Sequence, residues 1–243
     1  MKPYLIVGDG RLAKHFAHYF SILNIPHLSW SRKSTKPLTD LLPHCERVLL
    51  LISDKAIAPF VESHPALLEK KLIHCSGLMT FPFAESAHPL NTFGSELYSR
   101  ECYLNTPFIL ESGRALFADI LPGLHNPHYY MPAEKKPLYH SLCVMAGNFT
   151  TLLWQNTFEA FENELHLPKE ALLPFLEKIA FNLENSPREA LTGPISRGDT
   201  QTLIRNLDAL HNRAEQALYY AFLNFVLAKK KQIGELQYER LGL

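Results

Sequence analysis

The chain has 243 residues, of which 47% are hydrophobic and 20% charged, enough to build one large core or two smaller ones. Lysine plus arginine and aspartate plus glutamate each number 24, so no net field draws the chain to nucleic acid or to an acidic membrane surface. The first apolar run, Tyr4 to Val7, is too short for the core of a signal peptide, and the densest one, Val48 to Ile52, falls far below the roughly 20 residues that cross a bilayer. A cytoplasmic protein is therefore expected.

Cys45, Cys75, Cys102 and Cys143 are scattered without a C-x-x-C pair, which argues against a disulfide framework and a thiolate zinc site. They read as free thiols in or near the core. His15/His18 and His125/His128 are each three residues apart, but no third and fourth ligand follows at metal-site spacing, so no metal is expected.

In chain order, the apolar run Tyr4 to Val7 predicts a strand. Leu12, Phe16, Tyr19, Phe20 and Leu23 then recur at helical spacing, predicting a helix over 11–23 that Pro26 ends. His27 to Trp30 predicts a second strand, followed by the basic loop SRKSTK and a short helical piece opened by Pro37. Arg47 to Ile52 reads as a strand buried on both faces of a parallel sheet. A helix over 55–70 leads to a strand over 71–75 and the loop SGLMTF. The turn-rich AHPLNTFG, the strand-like TPFILE, a helix over 113–121 and the strand-like HYYM complete an alternation that predicts a doubly wound α/β domain.

Between the first strand and helix stands GDGRLA, in which Gly8, Gly10 and Ala13 fit the G-x-G-x-x-A dinucleotide fingerprint. Gly8 permits the tight turn, Gly10 lets the backbone approach a pyrophosphate, and Ala13 allows the helix to lie close to the strand. The free amides at the start of the helix, at Arg11 and Leu12, would face the phosphates. NAD-binding proteins usually carry an acid at the end of the second strand to hold the ribose 2′-hydroxyl. Here that place reads SWSRKS: Arg32 can fork onto a 2′-phosphate, with Ser31 as a neighbouring donor. NADP(H) is expected over NAD(H). Ser53, Asp54, Ser76 and Gly77, at the ends of later strands, would border the rest of the cofactor, with Asp54 also expected to cap the following helix.

The polar segment Glu134 to Pro137 marks the expected boundary between a domain over 1–133 and an all-helical one over 134–243. One long helix is predicted over 138–165, followed by helices over 169–185, 188–192, 199–211 and 212–230, with Pro174 kinking or dividing the first of these. His140, Val144, Gly147, Asn148 and Thr151 share a face of the long helix by their spacing. His140 is the candidate general acid/base and Asn148 could orient a carbonyl, although a polar seam between packed helices explains them equally well. In ALTGPISRGD, Arg197 could anchor a substrate carboxylate and Asp199 should cap the next helix. His88, in AHPLNTF, is a further crevice candidate.

Taken together, VGDGRLA, SWSRKS, LLLISDKAI, HCSG, AHPLNTF, YHSLCVMAGNFTTLLW and ALTGPISRGD resemble an uncharacterised family of Rossmann-like oxidoreductases. Its helical carboxyl-terminal half is a domain of unknown function similar to the carboxyl-terminal domain of 6-phosphogluconate dehydrogenase. The resemblance implies an NADP-binding Rossmann domain and a homodimer formed through the helical half; it does not transfer a substrate. The expectation drawn from the candidate residues is an NADP(H)-dependent oxidoreductase acting on a small anionic carbonyl or imine compound. The resemblance also marks a departure. β-Hydroxyacid dehydrogenases and ketopantoate reductase use a helix lysine with an asparagine four residues later, whereas His140 is followed at that spacing by Val144. The competing expectation is a non-catalytic dinucleotide-binding sensor or interaction protein.

Overall fold

In the computed structural model, which describes residues 2–233, the chain divides into two compact units, residues 1–154 and 155–243. The first holds a seven-stranded sheet: β1 (Tyr4–Val7), β2 (His27–Trp30), β3 (Arg47–Leu50), β4 (Lys71–His74), β5 (Ala84–Pro89), β6 (Phe108–Glu111) and β7 (His128–Met131). Their order is β2-β1-β3-β4-β5-β6-β7. All neighbours pair in parallel except β5 and β6, which run antiparallel.

The sheet is covered on both faces, and its first strand shows why. Tyr4 and Ile6 point to a core built with Phe16, Tyr19 and Phe20 of α1 (Arg11–Ile22). Leu5 and Val7, pointing the other way, join Val48, Leu50 and the buried face of α2 (Asp54–Ser63), Ile57 and Val61. Strand period two thus sends alternate residues into two separate apolar layers, and a run with no polar alternation is what two covered faces require.

Chain reversal occurs between β1 and β3, since β2 lies to one side of β1 and all later strands lie to the other. At such a switch point the loops leave the strand ends in opposite directions and open a crevice. Gly8 sits at its base with φ +133°, and a Cβ there would lie 2.2 Å from the Leu51 carbonyl oxygen. Only glycine fits, for both conformational and steric reasons.

Several expected elements shift. The helix over 55–70 is two pieces, α2 and a 3₁₀ turn at Pro65–Glu69, because Pro65 cannot supply the amide a continuing helix needs. AHPLNTFG is not all turn: Ala87, His88 and Pro89 belong to β5 and pair with β6. Pro89 is its last residue, where a missing donor costs least. The helix over 113–121 is reduced to α4 (Phe117–Ile120), and α3 (Arg100–Leu104), capped by Ser99, was not foreseen. Cys45 and Cys75 are buried as expected, but Cys102 is exposed and Cys143 half-buried.

The segment expected to open a second domain instead starts α5 (Lys136–Cys143), with Pro137 in its first turn. The long helix continues through a π-helical stretch, Val144–Phe149, into α6 (Thr150–Asn163). The second unit is helical. Pro174 marks a division as expected, where a 3₁₀ turn at Lys169–Leu172 passes into α7 (Leu173–Asn185). No helix forms over 188–192; α8 (Gly193–Arg197) takes its place and ends at left-handed Gly198. Asp199 caps α9 (Thr200–Ala209), accepting from the Thr202 amide at 3.1 Å, and α10 (Arg213–Ile233) follows.

Gly8→Ala is expected to lower stability by about 2 kcal/mol or more through forced backbone strain and collision with Leu51. Thermal denaturation checks this; a melting temperature equal to that of the parent would show that the crevice base can rearrange.

Candidate functional site

The crevice at the switch point is a groove of about 830 Å³. Its floor is the turn Gly8, Asp9 and Gly10 with the start of α1, Arg11 and Leu12; the loop after β2 contributes Ser31 and Arg32, and β3 leads to Ser53. These seven of the expected cofactor residues, Gly8, Gly10, Arg11, Leu12, Ser31, Arg32 and Ser53, therefore share one groove.

The helix start is suited to an anion. Gly10 occupies the N-cap of α1, no side chain caps it, and its first turn carries no acid. The leading amides are thus left to an external acceptor, and the helix dipole favours negative charge there. A Cβ on Gly10 would meet nothing within 4 Å. Gly8 is thus needed by the fold, whereas Gly10 leaves open space over the helix terminus.

The basic loop after β2 is ordered by its serines. The Ser31 amide donates to Ser34 Oγ at 2.9 Å, and the Lys33 amide donates to Ser31 Oγ at 3.2 Å. Lys33 Nζ meets Asp9 Oδ2 at 2.7 Å, and Lys33 and Arg32 together hold the Asp9 carboxyl below its ordinary range. Asp9, Arg32 and Lys33 line a smaller recess at that end of the groove. Arg32 forms no side-chain pair there and remains the free fork of the loop among the described residues.

Asp54, Ser76 and Gly77 do not line this groove. Asp54 is the first residue of α2, and the N-cap is Ser53, so the expected cap by Asp54 does not form. Its carboxylate instead accepts from Ser76 Oγ at 2.5 Å. Ser76 Oγ in turn accepts from the Leu78 and Met79 amides and shapes the loop after β4. The Asp54 and Ser76 side chains thus join the ends of β3 and β4.

Beyond that loop lies a second polar cluster. A Cβ on Gly77 would stand 2.8 Å from His140 Cδ2 and 3.1 Å from His88 Nε2. His88 Nδ1 is hydrogen-bonded to the Tyr139 hydroxyl at 2.7 Å. The two histidines thus flank Gly77, and burial, followed by the nearby His140 and Lys136, lowers the pKa of His88 to about 4.

Four residues before His140, Lys136 is buried. Its ammonium donates to Ser86 Oγ at 2.7 Å, to Glu111 Oε1 at 2.9 Å and to the Met79 carbonyl. Lys136 and Glu111 are each 3% exposed. Burial lowers the lysine's pKa, while the hydrogen bond and charge of Glu111 oppose that. Arg114 reaches the same carboxylate at 3.4 Å and Glu85 at 3.2 Å. All three ammonium donors are used, so Lys136 anchors α5 rather than facing a ligand.

His74, fully buried beside this network, accepts from the Ser76 amide through Nδ1 and leaves Nε2 without a partner. Burial, then Lys136 and Arg114, lowers its pKa to about 3.

Asn148 is exposed within the π-helical stretch. Roughly 10–12 Å of helix rise separates it from His140, so it does not join the cluster around Gly77. Arg197 ends α8 in the second unit. Sequence reasoning missed Lys136, Glu111 and Tyr139. Glu111, a lone acid closing the apolar run FIL, was the available signal. Lys55, Ala56 and Pro59 of α2 also line the groove; the first two lie within LLLISDKAI, yet no contact with the cofactor was expected of them.

Residues 107–224 match the model of a domain of unknown function, DUF2520. No curated protein matches the sequence. Among solved structures, a candidate NADP oxidoreductase from Bacteroides fragilis superposes with a TM-score of 0.73 at 19% identity, covering 93% of this chain and 97% of that one. Protein TM1727 from Thermotoga maritima gives 0.66 at 22% identity, with 94% and 98% covered. Pyrroline carboxylate reductase from Plasmodium falciparum, with NADP bound, gives 0.56 at 14% identity, with 96% and 100% covered. At these identities the likeness establishes a Rossmann-like α/β fold with a helical carboxyl-terminal region. Among the described residues, no three metal-ligating side chains cluster, and no helix is long and apolar enough to cross a membrane.

The lowered pKa values of His74 and His88 give stability a direction with pH. Their neutral forms are favoured by folding, so this stabilisation is complete above the ordinary imidazole range near pH 6.5 and is lost as pH falls toward 4 and 3. Each group contributes a slope of up to about 1.4 kcal/mol per pH unit. Urea denaturation between pH 7 and 4.5 should show falling stability, with a shallower fall in His88→Gln; equal slopes in the two proteins would contradict the assignment.

Proposed function

We propose that this chain is an NADP(H)-dependent oxidoreductase acting on a small anionic carbonyl or imine compound. The observation that carries the reading is the groove at the switch point, in which an uncapped helix start and Arg32 open onto one space. The turn amides and α1 would hold the pyrophosphate, and Arg32 with Ser31 the 2′-phosphate. Ser53 would border the remainder of the cofactor, with Ser76 and Gly77 beyond it. The Bacteroides and Plasmodium relatives, described as an NADP oxidoreductase candidate and a reductase with NADP bound, support this choice, as do the Aspergillus terreus reductive aminase in complex with NADPH and an imine reductase from Bacillus cereus. When bound, the cofactor supplies or accepts a hydride.

His140, beside Gly77, is the group that gives or takes the accompanying proton. Asn148, later on the same long helix, would orient the substrate by hydrogen bonding.

Calorimetric titration tests the reading. NADPH should bind more tightly than NADH, and Arg32→Ala should abolish most of that preference, by about tenfold or more. Gly10→Ala should weaken both nucleotides without lowering stability, and His140→Gln should leave binding unchanged while reducing NADPH oxidation with oxo acids or imines. Failure of both nucleotides to bind would overturn the proposal.

The same reading includes a homodimer through the helical region. Leu142, Met145, Phe149 and Leu152 are exposed at three- and four-residue spacing along the long helix, and Phe181, Phe222 and Phe225 are exposed in the second unit. Large apolar side chains left exposed at helical spacing favour association. Sedimentation should give about twice the chain mass, and Phe149→Glu should shift it toward the monomer; a monomeric parent would refute this part.

A further inference from the structure

His88 has one ring nitrogen fixed and the other open. Nδ1 lies 2.7 Å from the Tyr139 hydroxyl. Nε2 has no protein hydrogen bond, is not among the sealed, unpartnered atoms of the described residues, and lies 3.1 Å from where a Cβ on Gly77 would be. Because residue 77 is glycine, both imidazoles can close against the loop, and what remains open to a ligand is the unpartnered Nε2 of half-buried His88.

We propose that His88 is a hydrogen-bond donor, its Nε2–H fixed by Tyr139 and offered beside Gly77 to the carbonyl oxygen or imine nitrogen of a bound ligand. A phenol is a far better donor than acceptor when it faces an imidazole nitrogen at this distance. Burial, followed by the neighbouring Cys143, raises the pKa of Tyr139, so its proton is retained through the neutral range. Cys143, hydrogen-bonded to the same oxygen, can give its S–H to Oη and leave the Tyr139 proton for Nδ1; in the proposed arrangement the ring proton then resides on Nε2.

The groups facing His88 act in one direction. Tyr139 comes from α5, as do His140 and Lys136, and the positive charge of Lys136 together with burial disfavours an imidazolium at His88. Ser86 and Glu111, from β5 and β6, are engaged by Lys136. Two histidines around one glycine thereby take different roles: His88 keeps its proton and polarises an acceptor, while the proton that moves belongs to His140. A neutral donor suits an acceptor whose charge develops late, since it can stabilise that charge without first releasing a proton.

This inference rests on the oxidoreductase reading only for the acceptor's identity; the tautomer belongs to the free protein. The test is two-bond ¹⁵N–¹H correlation spectroscopy of histidine-labelled, nucleotide-free protein, with His88 assigned by the signal lost in His88→Gln. The expected spectrum shows His88 protonated on Nε2 alone and unchanged between pH 6 and 8. Tyr139→Phe should release the constraint and populate the Nδ1–H form. A parent His88 protonated on Nδ1, or titrating within that range, overturns the proposal. As a second readout, binding of an oxo acid, followed by the same spectrum, should shift the His88 Nε2 proton; no shift on saturation would also overturn it. Loss of nucleotide binding with this tautomer intact would instead refute only the cofactor assignment.

Discussion

The buried ion pair between Lys136 and Glu111 holds the candidate catalytic helix to the sheet. Two charges removed from water recover their hydration only if every donor is met, and here Glu111, Ser86 and the Met79 carbonyl meet all three ammonium protons. The pair ties α5 to β5, β6 and the loop after β4 at once. Tyr139 and His140 follow on the same helix, so their approach to His88 and Gly77 depends on this anchor. Removing one partner would leave the other charged and buried, a loss of about 3–5 kcal/mol.

A second arrangement, independent of the first, shapes the groove. The strand order places the reversal between β1 and β3, and Gly8 lets the turn pass against the Leu51 carbonyl. Once that turn is made, α1 begins without a cap and its amides face the crevice. The two glycines of the motif thus have separate physical origins: Gly8 answers to the neighbouring strand, and Gly10 to the space above the helix.

The amino-terminal half was readable because its signals are local. Apolar runs bounded by turn residues marked β1 to β4, and GDGRLA and SRKS marked the two ends of the groove. What could not be read depended on partners far along the chain. Asp54 looked like a cap until Ser76, 22 residues on, drew its carboxylate away. Lys136 looked like part of a solvated linker because nothing nearby in sequence announced Glu111. His88 lay in a segment rich in turn formers, yet pairing with β6 made it a strand residue.

The π-helical stretch Val144–Phe149 changes what position means along the long helix. At about 100° per residue, Asn148 would lie some 80° around the axis from His140. Bonds of the i→i+5 type wind more slowly, so the stretch absorbs extra chain and turns Asn148 back toward the His140 side. Such a bulge acts as a length buffer. One residue could be removed within it and the ladder would close to ordinary α geometry, leaving the faces of α5 and α6 in register with each other.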